Sequence, residues 1–173
     1  MTRPHALRWI AASLLVGSCG CAAFFRGDPV PPRTAEAGAQ FFHSRDFGSP
    51  FETGVPYALA VAAIERYPDQ LGGNGRAFGE KFGILSRPEN TNGLLAGFAL
   101  HRDGLTGIDF VMTNCSFCHS GQINGRIVPG LGSRDLRLNS LNRAVVEVVS
   151  RKDFNVKTML PLARGAAKRN RTP

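Results

Sequence analysis

A chain of 173 residues, 43% hydrophobic, is long enough for one domain with a modest core and too short for several. Its net charge of +8 does not make it a nucleic-acid binder. Residues 19–140 hold eleven Lys/Arg and eleven Asp/Glu, so the excess lies in the first eighteen residues (+2) and in residues 141–173 (+6). A neutral body excludes a basic face spread over the domain, and no nucleic-acid partner is expected.

Residues 1–18 have the layout of a bacterial signal peptide. Arg3 and Arg8 form a positive start, and Trp9 to Val16 form an apolar stretch too short to span a bilayer. Val16-Gly17-Ser18-Cys19 follows, resembling the bacterial lipoprotein signal in which a cysteine becomes the lipidated mature terminus. On that reading Cys19 carries acyl chains that hold the protein at the periplasmic face of a membrane, and Gly20 favours the outer membrane. The other reading is a simply secreted protein with Cys19 and Cys21 unmodified.

Residues 19–39, with Pro29, Pro31 and Pro32, read as a flexible tether, and residues 40–165 as the domain. A helix is expected from Pro56, with Tyr57, Val61 and Ile64 on one face, ending at Tyr67 before Pro68. Residues 72–132 are dense in glycine and read as loop-dominated, with too little periodic apolar sequence to build a core unless a large apolar cofactor fills its centre. Leu141, Val145, Val148 and Val149 predict a helix to about Arg151, capped by Asn139 or Ser140. A second one starts near Asp153 and breaks or restarts at Pro161. Residues 166–173 form a basic tail suited to solvent, anionic lipid or an acidic redox partner.

Cys115-Ser116-Phe117-Cys118-His119 matches the c-type haem attachment pattern. Cysteines three apart share one face of a helical turn, where each can form a thioether with one haem vinyl group, and His119 is placed to be the proximal iron ligand. From composition alone the pattern would arise by chance with a probability of order two in a thousand, so it carries the functional reading. One covalent haem c is the expected cofactor. A zinc site would want a second pair of cysteines near this one, and Cys19 and Cys21 are already explained by the export signal. Pro129 is a candidate to fix the His119 ring through its carbonyl, or else shapes the turn before Gly130. Met159 is a possible sixth ligand, although it equally fits the apolar face of the last helix. Met112 is too near the motif, and His43 and His101 are weaker candidates, His101 reading as a surface-loop residue.

With these residues in hand, the chain resembles the amino-terminal half of bacterial di-haem cytochromes that include the rubber oxygenases and are relatives of di-haem cytochrome c peroxidases. The resemblance rests on Gly54-Val55-Pro56-Tyr57, Arg66-Tyr67-Pro68-Asp69, Phe78-Gly79, Asn114-Cys115 with the haem motif, and Asp153-Phe154. It implies a mainly α, loop-rich, cytochrome c-like helical domain around a covalent haem, and periplasmic redox or oxygenative chemistry. No second Cys-x-x-Cys-His follows before Pro173, so electron transfer with an unidentified periplasmic redox partner is the leading expectation. A truncated haem oxygenase or peroxidase fragment is the enzyme alternative, and an anchored scaffold with a Cys115–Cys118 disulfide and no haem is the third.

Overall fold

The structure, a computed structural model, describes residues 33–44, 53–87 and 94–169. The signal segment, Cys19, Cys21 and most of the expected tether lie outside the described residues. Within that tether, however, the first helix α1 already begins, spanning Ala35–Ser44. Thr34 starts it, accepting a hydrogen bond from the Ala37 N–H at 3.1 Å, with Glu36 suitably placed in the first turn.

The expected mainly α, cytochrome c-like fold is not what the chain adopts: it is mixed α and β, with two antiparallel sheets. After α1 come β1 (Val55–Pro56), α2 (Tyr57–Arg66), the single turn α3 (Pro68–Leu71) and α4 (Gly75–Phe82). β2 (Phe98–Arg102) and β3 (Asp109–Thr113) follow, then a 3₁₀ turn at Cys115–Phe117, β4 (Ser120–Ile123) and β5 (Arg126–Pro129). Helices α5 (Leu138–Val149) and α6 (Val156–Arg169) close the order.

Four of the five strands among the described residues lie in the glycine-rich stretch expected to be loops. They are only four or five residues long, so glycines that punctuate their turns dominate the composition. β3 is central, pairing Val55 with Val111 on one side and Phe98 with Thr113 through Arg102 with Asp109 on the other. β4 and β5 form a separate hairpin turned by Asn124 (φ 48°) and Gly125 (φ 78°). Positive φ at both turn residues is what a two-residue hairpin with matching twist demands, and Asn-Gly meets it at least cost.

α2 packs along α6, and α5 packs on α3, around a core of Ala62, Tyr67, Leu71, Phe82, Ile84, Leu141, Ala144, Val148 and Met159. On α5 the buried stripe is Leu141, Ala144 and Val148, while Val145 and Val149 face outward. The i, i+3, i+7 spacing selects one line of side chains, and the small Ala144 lets the helix approach closely. α5 starts two or three residues earlier than expected, with Arg137 rather than Asn139 or Ser140 before its first residue, and without a side-chain cap.

α6 also departs from expectation, since Pro161 sits inside a continuous helix. Asn155, rather than Asp153, caps it by accepting from the Thr158 N–H at 3.2 Å. The exposed position of Pro161 leaves water free to solvate the carbonyl that loses its partner. Among the described residues no helix is long and apolar enough to cross a membrane.

Candidate functional site

The Cys-x-x-Cys-His segment lies where β3 gives way to β4. Asn114 is extended (φ −135°, ψ 179°), and its side-chain oxygen accepts from the Ser116 N–H at 3.0 Å, which turns the chain out of the strand. Cys115–Phe117 then form the 3₁₀ turn, and the Cys118 N–H donates back to the Cys115 carbonyl. With three residues per turn, side chains at i and i+3 eclipse, so Cys115 and Cys118 fall on the same side. The His119 N–H also donates to the Cys115 carbonyl, at 3.0 Å.

The turn has a buried side and an open side. On the buried side Asn114, Ser116 and Ser120 are 3%, 1% and 1% exposed. Burying three polar side chains is costly unless each finds partners, and they do. The Ser116 hydroxyl shares hydrogen bonds with His43 Nδ1 (2.9 Å) and the Ser120 hydroxyl (2.7 Å), and the Asn114 amide donates to the His43 carbonyl at 2.7 Å. The Asn114 N–H donates to the Gly97 carbonyl at 2.9 Å. His43, on the last turn of α1, thus ties that helix to the floor of the motif. Phe117 completes the floor with an edge-on contact to Phe98, ring centroids 5.4 Å apart.

On the open side Cys115 is half-buried and Cys118 and His119 are exposed, both cysteines being free thiols. Among the described residues no three His, Cys, Asp or Glu side chains converge to hold a metal ion. The three motif side chains are therefore arrayed along an open surface rather than gathered about one point. The following chain buttresses them: the Gly130 N–H donates to the His119 carbonyl at 2.7 Å and the Ser133 N–H to the Cys118 carbonyl at 3.0 Å.

The other candidates are placed as follows. Pro129 pairs with Ser120 in the β4–β5 hairpin, next to the histidine, but among the described residues its carbonyl makes no hydrogen bond to the His119 ring. Met159 is in the helical core, 4% exposed among Tyr67, Phe82 and Val148, and Met112 is equally buried on β3. His101 lies on β2 opposite Phe110 rather than in a loop. His43 is beneath the motif, not across from it. Neither methionine is brought to the open side of the turn.

Among the described residues, two apolar clefts stand out, and neither is lined by motif residues. One of about 340 Å³ lies between α2 and α4, against Leu95, Phe98 and Val111. The other, about 670 Å³, runs beside α6. The polar floor is what sequence reasoning missed. Asn114 in the cap position was a usable local signal, whereas His43 is 73 positions from its partner Ser116 and leaves no such trace. No family model, curated protein or solved structure matches the chain.

Proposed function

We propose that the chain is a c-type haem protein that carries electrons, with one haem held through Cys115, Cys118 and His119. The observation that carries this reading is that two free thiols and an imidazole are displayed on the open side of one 3₁₀ turn. Thioether formation needs thiols rather than a disulfide. Cys115 and Cys118 would each hold a vinyl group as a thioether, an addition of S–H across C=C that would consume no oxidant or reductant. The donor set fits the group, and the haem would supply an iron that cycles between ferric and ferrous states.

The protein's own residues contribute position. The i, i+3 spacing of Cys115 and Cys118 in the 3₁₀ turn favours one side for both sulfurs, and the Ser116–His43–Ser120 hydrogen bonds support the turn from below. The exposure of Cys118 and His119 leaves the site open to a redox partner at the surface. Attachment takes place outside the bacterial cytoplasm, in keeping with export and with a lipid anchor at Cys19 on the periplasmic face of a membrane.

A second reading, oxygenase- or peroxidase-like chemistry, is favoured by one observation: Met159 and Met112 are in the core and His43 is engaged below the turn. A sixth position without a protein ligand would admit small molecules. The test is the absorption spectrum of the reduced protein, produced with periplasmic haem-attachment machinery, before and after carbon monoxide. The electron-carrier reading expects a Soret band that carbon monoxide leaves in place. A Soret band that shifts selects the second reading, and a missing band overturns both.

A further inference from the structure

The cleft of about 670 Å³ beside α6 is walled on its other sides by the start of α2 and by the β2–β3 loop. Its rim is apolar and protrudes. Leu105, at the tip of the β2–β3 loop, is 92% exposed, and Val156, at the start of α6, is 75% exposed. Leu100, Ile108 and Leu160, all lining the cleft, are each exposed by more than a third. Apolar side chains so placed are costly on a surface that meets only water.

Charge on this side is positive where it is unspent. Arg164 lines the cleft, Lys157 adjoins Val156, and Lys168 follows Arg164 by one helical turn. None of the three has a carboxylate partner among the described residues. The nearby carboxylates are committed: Asp109 bridges Arg102 at 3.1 Å, Glu65 bridges Arg169 at 2.6 Å, and Asp103 accepts from the Thr106 N–H and hydroxyl. The +6 carried by residues 141–173 adds to the same sign.

We propose that this face docks on an anionic bilayer, with Leu105 and Val156 entering the interface and Lys157, Arg164 and Lys168 meeting lipid phosphates. Interfacial binding of this kind needs protruding apolar groups together with cations, since each alone is weak, and the two features coincide here. A soluble apolar ligand would account for the cleft but not for the protruding rim. The proposal is independent of the haem, and it is distinct from attachment at Cys19, because a tethered chain need not lay any particular face on the membrane.

The test uses the full chain carrying Trp9→Phe and Leu105→Trp, so that the sole indole reports the loop tip, with vesicles whose acyl chains are brominated. On vesicles containing phosphatidylglycerol the indole is quenched. On phosphatidylcholine alone, or in salt near 1 M where screening falls to about 3 Å, quenching is lost. Adding Lys157→Glu and Arg164→Glu weakens vesicle partition about tenfold or more while the circular dichroism spectrum stays the same. Vesicle binding without quenching would show contact through the amino-terminal segment only and would overturn the proposal. Quenching equal on both lipids would do the same, as would a concentration-dependent dimer with no vesicle signal, which would assign the face to a second copy.

Discussion

At the scale of single residues, Ser116 is the hinge between the buried floor and the open thiols. Ser116→Ala would leave His43 Nδ1 and the Ser120 hydroxyl facing a methyl group, a loss of about 1–3 kcal/mol that a denaturant titration would register as a lower midpoint with an unchanged slope. Gly97 is a second such point. Its φ is +87°, and a Cβ there would stand 2.2 Å from the Phe117 Cα, backbone that cannot give way without moving the motif. Gly97→Ala should cost more than about 2 kcal/mol and reduce haem loading in parallel, whereas Gly104→Ala, with open space around it, should stay within about 0.5 kcal/mol.

Titration also acts residue by residue. The Thr106 hydroxyl and N–H hold the Asp103 carboxyl below its usual range. For Asp153, desolvation is the largest single influence and raises it, but the Arg151 hydrogen bond with the Arg151 and Arg66 charges outweighs this, so it too is lowered. Both groups contribute stability that is complete above the unfolded carboxylate range and declines as pH falls through their lower folded values. Tyr67 works at the other end: burial first, then the Asp153 carboxylate, pushes its phenol up against the opposing pull of Arg66 and Arg151. Its contribution is intact below the unfolded value near pH 10 and is lost as pH rises beyond it. Thermal unfolding followed across pH should show a plateau from about pH 5 to 9 with losses on both sides. Asp153→Asn should blunt the acid limb.

Among elements, α6 carries the clearest contradiction between local chemistry and fold. Pro161 costs about 3 kcal/mol inside a helix relative to Ala, and it is exposed, so it contributes little packing in return. Pro161→Ala should therefore raise the melting temperature by several degrees, reduced by the extra chain entropy of the unfolded state. A fall in melting temperature would mean that Pro161 helps to seat α6 against α2.

The helices α2 and α5 were legible in the sequence because ten or more residues give the 3.6-residue period room to show. The strands were not. β3 reads Asp-Phe-Val-Met-Thr, whose three consecutive apolar residues hide the alternation that buries Phe110 and Met112 while Val111 is only half-buried. One local strand signal went unread: Ile123-Asn124-Gly125-Arg126, whose Asn-Gly pair marks a two-residue hairpin turn. At the site, Cys115, Cys118 and His119 were legible because their spacing is local. The clasp from His43 was not, because only the folded chain brings α1 beneath the turn.

For the molecule as a whole, a mixed α and β body presents one open turn with two thiols and an imidazole and, elsewhere, an apolar rim with unpaired cations. The mainly α expectation failed because short strands form within glycine-rich sequence, β2 pairing with β3 and β4 with β5. Electron transfer by this chain, as proposed, rests on covalent haem attachment at that turn. Intact-mass measurement after acid–acetone extraction, on protein made with the periplasmic haem-attachment machinery, tests that attachment. A mass increased by one haem, lost in Cys115→Ala/Cys118→Ala, is the predicted result. An unmodified chain mass, with Cys115 and Cys118 recovered as thiols or as a disulfide, would contradict it.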